Sequence, residues 1–346
     1  MPIHKAGSGY QWGNHGHIYP TRAGAEKQAA AAHAHGFQDA ADTPQCAGLL
    51  LVTQDREFLL LKRTDRDEWE GPGGHVKEGE SDTAAAIREC FEEVGPLSFP
   101  MPDPVFIRTT AEYGCLYAIY AQRVDRFTPV LNEEHSEARW VTAHELPETT
   151  HPGTRAAIES IAGNERAIAE SIQTGLFPSP QRINDLWLFD LRVTGTGVSF
   201  RSQLNEWVYR PPEFYLCPEF LERCNGVPVI FNHPEKSSLN TEEWRERAIG
   251  ALILPYIPVT EDDKHRIDEV WSIARIYDSD AAELMMTTHT STSPSVKFET
   301  EGSTQSVLAE DGNLLLIEGN PSFLCHVAVC SAGVWDQGGA PRGINY

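Results

Sequence analysis

The stretch from Gly74 to Gly95, GHVKEGESDTAAAIRECFEEVG, constrains the fold more than any other part of the chain. Ser81 or Asp82 can cap a helix that runs to about Val94, and Gly95 is well placed to end it. Since each helical residue turns by about 100°, four apolar residues share one face and three glutamates cluster on the opposite face. The apolar set is Ala84, Ile87, Phe91 and Val94, and the acidic set is Glu89, Glu92 and Glu93.

The three glutamates indicate a metal site. Carboxylates within one helical turn repel each other unless a cation neutralises them, and hard oxygen ligands suit Mg²⁺ or Mn²⁺. Gly73 and Gly74 allow the preceding loop to come close, so that a carbonyl of Gly73 can add a ligand. A metal held in this way would neutralise an anionic diphosphate and activate the attacking water. The alternative is a solvated acidic helix face, which is what most glutamate runs are.

The spacing of the charged and glycine positions resembles the Nudix box, G-x5-E-x7-R-E-U-x-E-E-x-G-U. The matching positions are Gly74, Glu80, Arg88, Glu89, Glu92, Glu93 and Gly95. Two apolar positions deviate, because Cys90 and Pro96 stand where aliphatic residues are usual. The resemblance implies an α/β/α sandwich with a mixed sheet and a hydrolase that cleaves phosphoric anhydrides with Mg²⁺ or Mn²⁺.

The same resemblance assigns roles to the box residues. Glu92 and Glu93 would bind the metal, and Glu89 would bind metal or serve as the base for the attacking water. Arg88 would orient the helix carboxylates, and Glu80 would brace the loop against the helix. The implied substrate is a nucleotide-type small molecule with a diphosphate linkage.

At 346 residues the chain is too long for one typical domain. We predict an α+β protein with a short N-terminal module (1–42), a Nudix domain (44–165), a linker (166–184) and a strand-rich α+β domain (185–346). The tail from Val334 is expected to be a flexible loop.

Two sets of residues outside the box are candidate metal ligands. Within 44–165, the acidic segment NEEHSEARW occupies the place of a comparable segment in Nudix proteins, so one of Glu133, Glu134 and Glu137 is a candidate further ligand or base. The alternative for each is a surface carboxylate. In the N-terminal module the candidates are His15, His17, His33 and His35, although HGH and HAH on small elements are more often incidental. This module resembles a short segment that recurs in phage-encoded proteins.

The second region carries a different set of reactive groups. His233, Ser295 and His326 each lie at a predicted strand or strand end, where rigid scaffolds present reactive side chains. A serine becomes a nucleophile when a histidine can take its proton and a second group orients that histidine. The three residues are therefore candidates for a catalytic triad.

The segments around these residues resemble the head-maturation (prohead) protease superfamily of tailed phages. The resemblance implies a serine endopeptidase that acts on phage capsid or scaffold proteins within the assembling head. Two residues depart from its pattern: Lys297 stands where glycine is usual, and Cys325 stands where asparagine often precedes the histidine. Ser293 is a rival nucleophile on the same strand face, and Lys297 is an alternative partner base.

Charge and cysteine usage limit the partners and the compartment. The net charge of −22 argues against a non-specific nucleic-acid or membrane surface, because both partners are polyanionic. The seven cysteines are dispersed and show no CxxC spacing, so neither a zinc site nor a disulfide framework is predicted. Reduced thiols and the lack of a signal pattern predict a cytoplasmic protein, in the host cytoplasm if a phage encodes it.

Three hypotheses follow. The first is a Mg²⁺-dependent Nudix hydrolase of a nucleoside-diphosphate-type compound. The second is a phage assembly endopeptidase with an accessory Nudix domain. The third is a head-assembly protein in which both sites are silent. The first two activities can coexist on one chain, because function resides in sites and the two regions are separable.

Overall fold

The computed structural model describes residues 3–6, 9–12, 18–19, 22, 45–97, 103–112, 115–201, 205–234, 239–298, 304–308 and 314–346. The chain divides into two compact units, Met1–Gly163 (unit 1) and Asn164–Tyr346 (unit 2). Within the described ranges, no helix is long and apolar enough to cross a bilayer. The four histidines of the N-terminal module, His15, His17, His33 and His35, lie outside the described residues.

Unit 1 is built mainly on a seven-stranded mixed sheet. The strands of unit 1 are β1 (Ile3–Ala6), β2 (Gly9–Trp12), β3 (Ile18–Tyr19), β4 (Cys46–Val52), β5 (Phe58–Arg63), β6 (Trp69–Glu70), β7 (Gly73–His75), β8 (Val105–Glu112), β9 (Cys115–Arg123) and β10 (His135–Val141), of which β4 to β10 form the seven-stranded sheet. Its helices include α1 (Asp82–Val94) and α2 (Pro152–Ala162). Strands β1 to β3 form a small antiparallel sheet of their own.

The large sheet has the order β10-β5-β4-β9-β8, with β6 paired to β5 and β7 paired to β4. Strands β4 and β9 are parallel, and the other pairs are antiparallel. Along β4 the side chains alternate between the two faces. Leu49 and Leu51 pack with α1, whereas Leu50 lies near Thr154 of α2. The sheet therefore lies between the two helices.

Helix α1 begins and ends where the sequence predicts. Ser81 is its N-cap, and the Ser81 hydroxyl accepts a hydrogen bond from the Ala84 amide at 3.1 Å. Gly95 follows the last turn with φ +81°, a conformation that L side chains rarely adopt. The predicted cap and C-terminus are thus confirmed.

The buried face of α1 differs from the apolar stripe predicted from the sequence. The helix buries Ala85, Ala86, Cys90, Glu93 and Val94. Phe91, predicted on the apolar face, is exposed, and Ala84 is exposed as well. Small residues let the helix approach β4 closely. The Gly73 amide, in the loop before the helix, donates a hydrogen bond to the buried carboxylate of Glu93. Apolar character alone therefore misplaces the inward face.

The prediction that all cysteines are reduced is wrong for one pair. Cys46 and Cys115 form a disulfide, with their Cα atoms 6.7 Å apart. The two residues are 69 positions apart in the chain, but parallel pairing of β4 with β9 places Cys46 opposite Tyr117. Sequence spacing alone does not reveal such a pair. The other five cysteines are free.

Unit 2 is strand-rich, as predicted. Its strands are β11 (Gln181–Ile183), β12 (Leu186–Gly195), β13 (Gly197–Arg201), β14 (Glu206–Arg210), β15 (Pro228–Phe231), β16 (Ala248–Tyr256), β17 (Glu269–Ile276), β18 (Ser291–Lys297), β19 (Gln305–Leu308), β20 (Leu314–Ile317), β21 (Phe323–Cys330) and β22 (Ile344–Asn345). Its helices are α3 (Glu165–Gln173), α4 (Pro212–Tyr215), α5 (Pro218–Cys224), α6 (Thr241–Arg247) and α7 (Ser279–Met285), and Val334–Asp336 form a 3₁₀ turn.

Two sheets organise these strands. An eight-stranded sheet has the order β11-β12-β17-β16-β15-β21-β18, with β22 also paired to β12. A four-stranded sheet has the order β13-β14-β20-β19. Helices and strands mix without strict alternation, which agrees with the α+β class.

Two segments predicted to lie outside the globular domains, a helical linker and a flexible tail, belong to the packed structure of unit 2. Residues 166–184, predicted as a linker, contain most of α3 and the strand β11, which pairs with β12. The tail, predicted as a flexible loop, buries Trp335 and Ile344, and its strand β22 pairs with β12. Residues 166–184 bury apolar side chains such as Ile168, Ile172 and Phe177. The tail is rich in glycine, but a strand far away in the sequence pairs with it.

Candidate functional sites

The first site lies where the glycine loop of unit 1 meets α1. Strand β7 pairs with β4 through Gly73 opposite Gly48 and Gly74 opposite Ala47, which fixes the loop on the sheet. The Gly73 amide donates a hydrogen bond to Glu93 Oε2 at 2.9 Å. The sheet therefore holds the loop backbone against one of the predicted metal-binding carboxylates.

The two glycines are required by close approach. A Cβ on Gly74 would lie 2.6 Å from Glu89 Cδ and 2.7 Å from both carboxylate oxygens of that residue. A Cβ on Gly73 would lie 2.7 Å from the Ala47 carbonyl oxygen and would overlap the Tyr117 hydroxyl. The lack of a side chain at Gly74 therefore lets Glu89 lie directly against this loop, and the lack of one at Gly73 lets the loop lie against β4 and Tyr117.

Arg88 connects the loop to the helix. Its Nε and NH2 atoms donate to the two oxygens of Glu80 at 2.9 and 2.8 Å, a bidentate pair. NH1 donates to Glu89 Oε1 at 2.7 Å and lies 3.4 Å from Glu92 Oε2, and NH2 also donates to the His75 carbonyl at 2.9 Å. One guanidinium thus contacts three box carboxylates and the loop backbone.

The carboxylates of the site differ in environment. Glu93 is 3 % exposed, whereas the side chain of Glu92 is 52 % exposed. Burial raises the pKa of Glu93 to about 8, the hydrogen bond from Gly73 opposes this, and the nearby carboxylates of Glu70 and Glu89 add to it. Hydrogen bonds from Arg88 lower the pKa of Glu80 to about 2. A buried carboxyl surrounded by like charges is a place where added positive charge is favourable.

This chemistry fits a hard divalent cation. The donors are carboxylate oxygens on α1 beside a loop whose glycines expose their backbone, which suits Mg²⁺ or Mn²⁺. Among the described residues, however, no three His, Cys, Asp or Glu side chains already converge where one metal ion could sit. Arg88 instead holds Glu89 and Glu92. Binding a cation would therefore require these side chains to rotate away from the guanidinium.

Of the three further acidic candidates, Glu134 lies nearest to the site. It contributes to the raised pKa of Glu93, and its Oε2 lies 3.8 Å from Arg63 NH1. Glu137 pairs with Arg139 at 2.7 Å on the surface, and Glu133 is exposed. This arrangement favours Glu134 as the candidate and a surface role for the other two.

Sequence reasoning missed Glu70, which belongs to the same acidic centre. Its Oε1 accepts from Arg63 NH1 at 3.0 Å and lies 3.4 Å from His135 Nε2. Burial raises the pKa of Glu70, but the hydrogen bonds with His135 and Arg63 outweigh burial and leave the pKa lowered. The signal available was an acidic residue directly before the Gly71–Gly74 turn, at the end of a strand.

The second candidate site, in unit 2, brings together His233, Ser295 and His326. His233 Nδ1 lies 3.1 Å from His326 Nε2. Strands β18 and β21 pair with Ser295 directly opposite His326, so their side chains share one face of the sheet. Ser293 is opposite Ala328, two positions further along.

His326 is the most buried member of this group. It is 1 % exposed, and its Nδ1 atom has no hydrogen-bond partner among the described residues. Burial, together with the smaller effects of the neighbouring His233 and Lys297, lowers the pKa of His326 to about 4. Burial also lowers the pKa of His233. Both imidazoles are therefore neutral near pH 7, the form in which a histidine can accept a proton.

A family model matches part of this chain. The model of the NUDIX domain matches residues 42–161. An RNA pyrophosphohydrolase of Psychromonas ingrahamii is 27 % identical over 118 residues, which cover 28 % of this chain and 65 % of that protein. An RNA pyrophosphohydrolase of Wolbachia pipientis is 43 % identical over 51 residues, covering 14 % of this chain and 32 % of that protein. The chain thus spans from about a third to about two-thirds of the length of these relatives.

Two solved structures with partial similarity to this chain are also hydrolases by name. The dihydroneopterin triphosphate pyrophosphohydrolase of E. coli is 24 % identical with a TM-score of 0.32, covering 36 % of this chain and 97 % of that one. A C. elegans Ap4A hydrolase is 20 % identical with a TM-score of 0.32, covering 38 % and 98 %. The family match and the spacing of the box together support a Nudix domain at residues 42–161.

Proposed function

We propose that this chain hydrolyses the diphosphate linkage of a nucleoside-diphosphate-type substrate at the box of unit 1, with Mg²⁺ or Mn²⁺. The observation that carries the proposal is the contact between the glycine loop and α1. Glu93 accepts the Gly73 amide at 2.9 Å, and Glu89 lies against Gly74. The loop backbone and the helix carboxylates therefore lie together, and oxygen ligands of this kind suit a hard divalent cation.

Glu89, Glu92 and Glu93, with the Gly73 carbonyl and with Glu134 as a further candidate, would hold the ion. When bound, the ion would offset the charge of the diphosphate and make a water molecule more acidic. Arg88 would keep the helix carboxylates and the loop in register, because it contacts Glu80 and the His75 carbonyl at the same time. Glu80 would brace this contact.

Glu89 is the proposed general base, with metal binding as its alternative role. Its carboxylate lies at the loop, within reach of a water molecule that approaches a bound diphosphate. The oxygen of that water forms a new bond to phosphorus, its proton passes to the base, and the bond from phosphorus to the bridging oxygen breaks. The products are two phosphorylated fragments.

The direct test separates and identifies the phosphorylated products formed from a panel of substrates with and without Mg²⁺. The panel holds nucleoside triphosphates, dinucleoside polyphosphates, nucleoside diphosphate sugars and a short 5′-triphosphorylated RNA, which is included because a relative is named an RNA pyrophosphohydrolase. Glu93→Gln should lose activity by on the order of a hundredfold or more, because it removes the buried ligand charge. The matched control is Glu159→Gln, an exposed helical glutamate on α2. Metal-independent turnover, or equal loss in both variants, would refute the proposal.

A second candidate function is a serine endopeptidase in unit 2 that acts on phage capsid or scaffold proteins. The specific observation in its favour is the 3.1 Å contact between His233 and His326, with Ser295 opposite the second histidine. Ser295 would be the nucleophile, His326 would take its proton, and His233 would orient His326. Lys297, which lies two residues after Ser295, departs from the pattern of that protease family, where glycine is usual.

Intact mass after prolonged incubation tests this candidate. Self-cleavage that Ser295→Ala abolishes and Ser293→Ala leaves unchanged would support it. Cleavage that is lost only in Ser293→Ala would assign the nucleophile to the rival serine. If the intact mass stays constant and capsid or scaffold proteins are not cleaved either, the site in unit 2 is silent, which is one of the two conditions of the third hypothesis.

A further inference from the structure

The four-stranded sheet of unit 2 has an outward face made almost entirely of apolar side chains. Residues directly opposite one another in paired strands point to the same side of a sheet. The register of β13, β14, β20 and β19 defines eight residues on the outward side. They are Val198, Phe200, Trp207, Tyr209, Gln305, Val307, Leu315 and Ile317. Glutamine is the only polar residue in the set.

The inner face of this sheet is already covered along β13 and β14. Ser199, Val208 and Arg210 lie on that side, and each is buried. In an antiparallel sheet that faces water on one side, the solvent side is expected to carry polar residues. On the outward face, however, Val198 is 49 % exposed, Phe200 40 %, Trp207 39 % and Val307 44 %. The residue pattern is that of a sheet covered on both faces.

The outer hairpin β19–β20 continues the apolar surface. Leu308 and Leu314 point to the side opposite Val307, and they are 72 % and 51 % exposed. The hairpin therefore exposes apolar side chains on both of its faces. Phe200 and Trp207 form an aromatic pair, with ring centroids 5.2 Å apart, at the other end of the outward face.

We propose that this face and its hairpin are the surface through which two copies of the chain associate. The chain carries a net charge of −22, so two copies can meet closely only where like charges do not oppose each other. The eight outward residues carry no charge. A self-complementary apolar patch is what a two-fold symmetric dimer needs.

The exposed area is sufficient for a dimer of standard size. From the exposed fractions, the outward face offers on the order of 400 Å² of apolar surface in each copy. Two copies would bury about 800 Å² of apolar area, and since roughly two-thirds of a homodimer interface is apolar, the whole interface would reach about 1,200 Å². That is the lower end of stable interfaces, so the dimer should dissociate on dilution.

The test is the mass of the full chain by sedimentation and light scattering over a wide range of concentration. We expect twice the chain mass of 38.5 kDa at high concentration. Trp207→Glu and Val198→Glu each place a charge opposite its own copy, so each should raise the dimer dissociation constant at least about tenfold. The control is Val259→Glu, which changes a 93 % exposed residue outside this sheet and should leave the mass unchanged.

Thermal unfolding shows which variants keep the native fold, and Val198→Glu decides the question if Trp207→Glu does not fold. A monomer at every concentration would overturn the proposal and assign the face to another occupant, such as unit 1 or a different protein. A dimer that persists unchanged in a folded Val198→Glu variant would also overturn it, because the copies would then meet elsewhere.

Discussion

Two arginines, one in each unit, hold clusters of carboxylates in opposite ways. Arg88 in unit 1 has a partly exposed side chain and contacts Glu80, Glu89 and Glu92 at the candidate site. Arg192 in unit 2 is wholly buried and contacts Glu269 at 3.2 Å and Asp336 at 2.7 Å. Both clusters pair an arginine with carboxylates, but Arg192 and its two carboxylates are buried, whereas the Arg88 cluster is partly exposed.

Because the two clusters differ in burial, we expect them to have different roles. A solvent-accessible ion pair adds little to stability. We therefore expect Arg88 to position the three carboxylates rather than to stabilise the fold. Buried ions have lost their hydration, so the partners of Arg192 must satisfy one another. Ser291 Oγ donates to Asp336 Oδ2 at 2.7 Å, and Arg342 pairs with Glu269, which completes the cluster. Changes at Arg88 should therefore alter activity, and changes at Arg192 should alter stability.

Arg192→Met should give the largest effect. It removes the cation but leaves Glu269 and Asp336 buried without it, and losing one partner of a buried pair costs about 3–5 kcal/mol. Denaturant unfolding of the full chain, followed for the transition of unit 2, measures the loss. Arg166→Met is the control, because Arg166 forms an exposed pair with Glu170 and should change stability by less than ~0.5 kcal/mol. Equal stability of the two variants would show that the buried cluster does not support the fold.

The stability of unit 2 should depend on pH through the contacts of His265 with two aspartates. His265 Nε2 lies 2.7 Å from Asp190, and Nδ1 lies 2.9 Å from Asp262. Burial lowers the pKa of His265, but the hydrogen bonds with Asp190 and Asp262 outweigh burial and raise the pKa to about 9. Since the folded-state pKa exceeds the ordinary 6.5, the stabilisation is fully present below about pH 6.5 and is lost as pH rises through about 9.

The expected contribution of this histidine is at most ~3 kcal/mol of unfolding free energy between those pH values. Unfolding measured at several pH values for the wild-type protein and for His265→Gln checks it. The wild-type protein should lose stability over this interval, and the variant should lose less. Parallel pH profiles would mean that His265 gains no proton affinity on folding.

The contrast between the Arg88 and Arg192 clusters also shows which contacts can be predicted from the sequence. The Arg88 cluster lies within 75–92, so fixed spacing on one helix and its loop reveals it. The Arg192 cluster joins residues that are 77 and 144 positions away, and no local pattern marks them. The Cys46–Cys115 disulfide and the order of the C-terminal tail were missed for the same reason. Local signals such as the Ser81 cap and the Gly95 terminus were predicted correctly, because they depend on adjacent residues.

Arg88→Ala tests the expectation that Arg88 affects activity and not stability. It releases Glu80, Glu89 and Glu92 but buries no new charge, so activity should fall about 10–100-fold while unfolding changes by less than ~1 kcal/mol. Arg88→Lys should recover only part of the activity, because an ammonium cannot form the bidentate pair with Glu80. Arg166→Ala serves as the exposed control. A large loss of stability with unchanged activity would place Arg88 in the same class as Arg192.

Gly74→Ala should give the smallest effect and test whether close approach of the loop matters by itself. The new Cβ would lie 2.6 Å from Glu89 Cδ, so the flexible carboxylate must move away from the loop. Activity should fall about tenfold, because a small displacement of a reacting group already slows the reaction. Stability should change by less than ~1 kcal/mol, since the group displaced is the end of a side chain.

A double-mutant cycle with Glu89→Asp decides whether the glycine acts through this carboxylate. The shorter side chain relieves the contact with the new Cβ, so the two changes should be non-additive in kcat/KM. The interaction should be absent when Gly74→Ala is combined with Glu159→Gln on α2. Additive losses in both cycles would mean that Gly74 serves the backbone of the loop alone, and the closeness of Glu89 would then have no part in the reaction.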